Sequence, residues 1–250
     1  MTLEGKRVLV TGGSRGIGAA IVAALVRDGA GVALHFGKSR AAAESVAEAL
    51  YGAPVLLEAN LAERGAGLTL VERAKEALGG LDAVVNNAGI FAPAPPTAPW
   101  ADWTRVWQET LQVNLVAAAD ITRAALPTFQ RQHRGTFVYI ASRAAFRGDA
   151  PEFLAYAASK GGMVALSKSV ARGYGRDGVV AMAVAPGFVA TEMAQQVADE
   201  KGTAAVVADI PLGEMAQPAD VAAAVAFLLS DAARHLNGAT LDINGGSYVR

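Results

Sequence analysis

Tyr156-Ala-Ala-Ser-Lys160 sets a phenol and an ammonium four residues apart, a spacing that places both on one face of a helix continuing through Met163, Leu166 and Ser167. A free tyrosine titrates near pH ~10 and parts with its proton only with difficulty at neutrality, but an adjacent cation favours the phenolate. A tyrosine so placed can protonate an alkoxide or deprotonate an alcohol. Ser142 follows the β-branched and aromatic run 136–140, so its hydroxyl emerges at the carboxyl edge of a strand, where it could hold a substrate oxygen beside Tyr156. Taken alone, Tyr-x-x-x-Lys is an ordinary helix face and Ser142 a strand terminus. The combination gains weight from a second group of residues near the N-terminus.

That group is Thr11-Gly12-Gly13-Ser14-Arg15-Gly16-Ile17-Gly18, lying between the apolar run 7–10 and a helical pattern that includes Ile21 and Leu25. Glycines at 12, 16 and 18 allow a tight turn, close approach to a pyrophosphate and packing of the helix on the sheet, with the helix N-terminus facing the phosphates. A structural turn is the bland alternative, but the first strand–turn–helix of an α/β chain is where dinucleotides bind. An NAD site calls for an acid about 20 residues on. Here the chain reads His35-Phe36-Gly37-Lys38-Ser39-Arg40, without one. Arg15, Lys38 and Arg40, with Ser39 between the last two, could surround a 2′-phosphate, so NADP(H) is the expected cofactor. The alternative is that Lys38 and Arg40 merely solvate the start of the next helix.

The elements that would position these groups are legible as alternation. Short apolar runs at 7–10, 31–34, 54–57, 83–85, 136–140, 179–184 and 240–243 are strand candidates, and each of the first six precedes a helix-length segment. This is the rhythm of a parallel sheet covered on both faces. We expect an α/β fold, a doubly wound (Rossmann) seven-stranded parallel sheet in one domain over 1–250. The Pro-rich stretch 92–99 reads as loop, and 187–215 as a substrate lid. Of the 250 residues, 52% are hydrophobic and 18% charged, and mean hydropathy is +0.29, so disorder is excluded. Lys and Arg number 22 against 23 Asp and Glu, which provides no field for nucleic acid or an anionic membrane. With no cysteine and His35, His133 and His235 far apart, no metal site is expected. No apolar stretch reaches the ~18 residues a membrane span needs, and the motif at residue 12 leaves little room for a signal peptide. A cytoplasmic location is therefore expected.

The chain resembles the short-chain dehydrogenase/reductases, and is similar to their beta-ketoacyl-carrier-protein-reductase-like branch. The motifs carrying the resemblance are the 11–18 loop, Asn86-Asn87-Ala88-Gly89, Asn114, Ser142, Tyr156-x-x-x-Lys160, Pro186-Gly187 with Thr191, and Asn244-Gly245-Gly246. It implies Tyr156 as general acid/base, Lys160 lowering its pKa while bonding the nicotinamide ribose, and Ser142 polarising the carbonyl. It further implies that Asn114 keeps a water chain to Lys160. Asn87, Ala88 and Gly89 would line the adenosine side, Asn60 and Leu61 would meet the adenine, and Pro186, Gly187, Val189 and Thr191 would hold the carboxamide end. A homotetramer is implied as well. The sequence departs from that branch at Asn60, at Met182, in one extra residue between Ser142 and Tyr156, and where His133 and Asp177 replace basic residues. Arg131, Arg134 and Arg176 stand close by, so a carrier-protein partner is weakly supported.

Trp100, Trp103 and Trp107 read as a packing stripe, and the histidines as surface or supporting groups, with His35 alone near the cofactor. Phe188, Met193, Ile210 and Leu212 are either core or an apolar wall. Ala144, Phe146, Phe153, Phe188, Val189 and Met193 around the crevice favour a ketone with an apolar chain, such as a 3-oxoacyl thioester, over a sugar. A dinucleotide-binding sensor or structural protein without turnover is the rival from another class, and intact Ser142, Tyr156, Lys160 and Asn114 argue against it. A nucleotide-sugar epimerase would call for a longer chain.

Overall fold

A computed structural model describes residues 2–192, 194, 199 and 202–250. Seven strands, β1 (Arg7–Val10), β2 (Gly31–Phe36), β3 (Val55–Glu58), β4 (Ala83–Asn86), β5 (Gly135–Ile140), β6 (Val179–Pro186) and β7 (Thr240–Ile243), form one parallel sheet in the order β3-β2-β1-β4-β5-β6-β7. Chain order reverses between β1 and β4, where Val10 faces Leu34 on one side and Val85 on the other. An open parallel sheet forms its binding crevice at such a reversal, outside the carboxyl ends of the strands.

The strands are apolar throughout because both faces are covered. Successive side chains alternate between two cores: Val8, Val10, Val138 and Ile140 point to one, and Leu9, Val84, Phe137 and Tyr139 to the other. The first core is closed by α1 (Gly16–Arg27) and a late helix (Pro218–Leu229), through Ile21, Leu25, Val221 and Val225. α2 (Arg40–Glu48) adds Ala43 to it. The second is closed by α3 (Ala66–Leu78), α5 (Ala117–Arg131) and α7 (Leu154–Tyr174), through Leu70, Ile121, Phe129 and Met163. Each such side chain contributes roughly 1.5–3 kcal/mol on full burial.

Several local expectations shift. β2 and β6 extend two residues past their β-branched runs, to Phe36 and Pro186. Proline ends β6 without loss, because the next amide, Gly187 N–H, completes the ladder to the Ile243 carbonyl at 2.8 Å. The crossover between β4 and β5 is not one helix. α4 (Trp100–Leu111) passes through a π-helical turn, Gln112–Val116, into α5. The tryptophan stripe divides: Trp103 and Trp107 pack with ring centroids 5.5 Å apart, whereas Trp100 is 78% exposed and is not a packing residue. Within 187–215, the described residues give a bridge from Val189 to Ala216 and a short helix, Thr203–Val207. Among the described residues no helix is long and apolar enough to cross a membrane.

Candidate active site

The glycine-rich loop is shaped by what surrounds it. Gly12 adopts φ +65°, the left-handed region, with Ala88 Cα 3.0 Å from where a Cβ would stand. A Cβ on Gly18 would overlap the Gly12 carbonyl oxygen and lie 2.6 Å from Asn87 Nδ2. Asn87 Nδ2 donates to the carbonyls of Thr11 (2.8 Å) and Gly12 (3.0 Å), and Thr11 Oγ1 accepts from the amides of Asn87 and Ala88 at 2.9 Å. The Asn87 side chain thus straps the loop to β4 and is already committed, a different task from lining adenosine. Gly18→Ala is expected to weaken dinucleotide binding a hundredfold or more, about 2.7 kcal/mol, and to lower the melting temperature, since the clash is with backbone that cannot rotate away. Fluorescence titration and calorimetry of the variant check both.

The turn leads into α1 with Arg15 extended as the N-cap, no side-chain cap and no acid in the first turn. The amides of Gly16, Ile17 and Gly18 are therefore left for an anion, as is the turn at Ser14. Thr191 Cγ2 lies 3.3 Å from the Cβ position of Gly16, so the segment after β6 closes against the loop. An uncapped helix end without acids, a glycine cradle and adjacent cations fit the pyrophosphate of a dinucleotide.

The cations carry acids that sequence reading missed. Arg40 bonds Glu58 at 2.8 Å and lies 3.7 Å from Glu44, while Arg15 lies 3.6 Å from Glu192. Glu58 was findable from strand pairing, since it ends β3 directly opposite Phe36 of β2. Lys38 is exposed, and Ser39 is the N-cap of α2 without a side-chain capping bond.

At the other end of the crevice Ser142, 8% exposed, lies between β5 and the short α6 (Ala144–Arg147), and its Oγ accepts the Ala144 amide at 3.1 Å. Tyr156 on α7 lies near enough to Ser142 for that hydroxyl to act on its phenol, which brings the two to one place. Lys160, one turn further along α7 and 4% exposed, donates to the Ile140 carbonyl at 2.7 Å, with its Nζ 5.7 Å from the Tyr156 ring centroid. Burial pushes the Tyr156 phenol up to about 12, with Ser142 opposing, and pushes the Lys160 ammonium down to about 8. The expected depression of the tyrosine by the lysine is not what the folded site shows: the ammonium bonds a carbonyl and not the phenol, and desolvation dominates for each.

Asn114 is fully buried in the π-helical turn, which rotates it inward from the α4–α5 line. Its Oδ1 accepts the Ile90 amide at 2.8 Å, and its Nδ2 donates to the Ile90 carbonyl and Ser159 Oγ, both at 3.0 Å. A Cβ on Gly89 would stand 3.3 Å from Asn114 Oδ1 and 3.4 Å from Lys160 Nζ, so these three residues share one small space. Among the described residues no cluster of His, Cys, Asp and Glu could hold a metal.

The family model described as enoyl-(acyl carrier protein) reductase matches residues 12–248. The 3-oxoacyl-[acyl-carrier-protein] reductase FabG of Staphylococcus aureus is 33% identical over 247 residues, covering 98% of each chain. That of Haemophilus influenzae is 34% identical, covering 99% of this chain and all of the other. The chain belongs to the short-chain dehydrogenase/reductase family, in its FabG-like branch. A solved dehydrogenase/reductase from Sinorhizobium meliloti superposes with a TM-score of 0.88 at 32% identity, covering 99% of this chain and 97% of that one. As a member of this family the protein is an oxidoreductase acting on CH–OH and C=O groups with a nicotinamide cofactor.

Other expected positions in this reductase behave unevenly. Asn60 turns away from an adenine edge: its amide donates to Glu63 and its Oδ1 accepts the Ala62 amide, closing a local turn. Leu61 is buried in the second core. Pro186 and Gly187 end β6, Val189 is 4% exposed, and Thr191 Oγ1 bonds the Val189 carbonyl at 3.2 Å. Around Tyr156 the apolar wall is Phe91, edge-on at 4.8 Å, itself stacked on Phe153 at 3.8 Å. Phe91 precedes the Pro-rich stretch 92–99 in a loop without a period, so no sequence pattern marks it. Phe146 instead stacks on Tyr248, under Arg250. Arg143 lies 4.7 Å over the Phe188 ring, so the wall is not purely apolar. Ile210 is 5% exposed and reads as core, Leu212 is 74% exposed, and Met193 lies outside the described residues.

Proposed function

We propose that this protein is a cytoplasmic, NADP-dependent reductase of 3-oxoacyl thioesters or related ketones with an apolar chain. The observation that carries the reading is the Ser142–Tyr156–Lys160 group at one end of a crevice whose other end is an uncapped, acid-free helix N-terminus. The cofactor lies across Gly12, Ser14, Arg15, Gly16, Ile17 and Gly18, with Lys38, Ser39 and Arg40 at its 2′-phosphate. Ala88 and Gly89 border its adenosine side, with Asn87, Asn60 and Leu61 shaping the turns behind it, and Pro186, Gly187, Val189 and Thr191 border its carboxamide end. Bound there, the nicotinamide supplies or accepts the hydride.

Ser142 holds the substrate oxygen by a hydrogen bond, and Tyr156 transfers the proton. A phenol pushed up to about 12 keeps its proton at neutral pH, which suits it to give that proton to an oxygen that becomes an alcohol. Lys160 orients the ribose and supplies positive charge beside the phenol, and Asn114 braces the turn that faces both. We assign the substrate lid to 187–215, of which 193, 195–198, 200 and 201 lie outside the described residues, and the protein works as a homotetramer. The fully apolar Phe91–Phe153 pair next to Tyr156 favours an acyl chain over a polyol, whose hydroxyls would be left unpaired at ~1–3 kcal/mol each.

The test is oxidation of NADPH and NADH with acetoacetyl-coenzyme A, glucose and a simple aryl ketone. NADPH should be preferred about tenfold, the lower end for a charge-assisted phosphate contact, because Arg40 must leave Glu58 to make it. Equal efficiency with NADH would overturn the 2′-phosphate reading. Preference for glucose would overturn the apolar wall, and activity on the aryl ketone alone would keep the reductase and discard the acyl chain.

A further inference from the structure

His35 lies in β2 near its carboxyl end, 3% exposed, with both ring nitrogens engaged. The Gly12 amide donates to Nδ1 at 3.0 Å, and Nε2 lies 3.0 Å from the Ala59 carbonyl. An amide only donates and a carbonyl only accepts, so Nδ1 carries the lone pair and Nε2 the hydrogen. The backbone carbonyl of the same residue accepts the Gly13 amide at 2.8 Å. One residue therefore holds two consecutive amides of the phosphate loop and ties them to the end of β3. Sequence reading placed His35 near the cofactor without this task, because nothing local pairs it with Gly12, 23 residues away.

We propose that His35 is a positioning residue for the dinucleotide, that its neutral, Nε2-protonated ring sets the loop in its binding shape, and that acidification weakens cofactor binding through it. This rests on the dinucleotide reading above. A proton on Nδ1 would set two donors face to face at 3.0 Å, and the Gly12 amide would have to turn away, carrying with it the turn that Gly18 packs against. The charged groups around the ring are few. Arg73 on α3, whose Nη1 donates to the Glu58 carbonyl at 2.6 Å, opposes an imidazolium, while Glu58 on β3 holds Arg40 by its carboxylate. In the loop, Arg15 is exposed beside Glu192, and Lys38 is exposed beyond β2. Burial first, and Arg73 as well, hold the imidazole below its ordinary range, with the Ala59 bond opposing. The folded-state value is thus depressed, so the bound shape is full above about pH 6.5 and is lost as pH falls through the lower value.

The experiment is titration of the wild-type protein, His35→Asn and His35→Leu with NADH and with NADPH between about pH 7.5 and 5. NADH is the decisive probe, because the 2′-phosphate of NADPH titrates itself near pH ~6. Wild-type Kd for NADH should rise about tenfold on acidification, the loss of roughly one hydrogen bond. His35→Asn, whose amide oxygen can accept from Gly12 but cannot titrate, should keep the affinity and lose the slope. His35→Leu should bind about tenfold more weakly at every pH, with turnover at saturating cofactor within twofold. A flat wild-type curve, tighter binding in acid, or the same slope in His35→Asn would overturn the proposal. Should His35→Asn fail to fold, the slope in His35→Gln decides. Absence of dinucleotide binding at every pH would overturn it together with the reading it rests on, whereas pH-independent binding would overturn it alone.

Discussion

Replacing Tyr156 by Phe is expected to lower turnover by ~10²–10⁴ while leaving the dinucleotide Kd within a few-fold. The substitution removes the hydroxyl beside Ser142 and the proton it would transfer, and leaves the ring packed edge-on against Phe91 at 4.8 Å. Because only the hydroxyl is lost, binding and chemistry separate in one variant, and stopped-flow kinetics with a parallel cofactor titration read both. Rates near wild type would mean that another group moves the proton. A collapse of cofactor affinity would mean that the phenol holds the dinucleotide and not the substrate.

Lys160→Met is expected to stabilise the fold and to cut turnover by a hundredfold or more. Burial brings the ammonium from its ordinary value of 10.5 down to about 8, so at pH ~7 the folded protein holds a buried charge at a cost of about 3 kcal/mol. Against this stands the bond to the Ile140 carbonyl, whose net loss costs about 1 kcal/mol, so relief of the charge wins. The folded value is depressed, so the penalty is complete below about pH 8 and vanishes as pH rises towards the unfolded value. The gain in melting temperature should therefore be largest at neutral pH and shrink in alkali, which thermal denaturation across pH measures. A destabilised variant at pH ~7 would show that the ammonium is better solvated than its 4% exposure indicates. A functional residue kept at a cost in stability is the expected signature of a site under chemical demand.

Much of this site was legible because its spacing is local. Tyr156 and Lys160 share a helix face through four residues of sequence, and the 11–18 turn is contiguous, so periodicity and turn chemistry suffice to find them. The partners of those residues were not legible. His35 meets Gly12, Arg40 meets Glu58, and Asn114 meets Ile90, each across a gap that only strand order or a crossover closes. The exposed Trp100 shows the same limit, since a stripe at helical spacing marks a face without saying what, if anything, covers it.

Contiguous pattern and intrinsic chemistry were enough to read the parallel α/β fold, a helix N-terminus suited to an anion and the residue types that could pass a proton. The order of the strands and the packing of α7 came only with the folded chain, and they bring Ser142 after β5 near Tyr156 on α7 and the β2 histidine to the loop after β1. Packing also decided the protonation tendencies. Whether Tyr156 moves up or down depends on how much water the fold removes from it against how closely Lys160 approaches, and desolvation and distance are properties of packing, not of spacing along the chain.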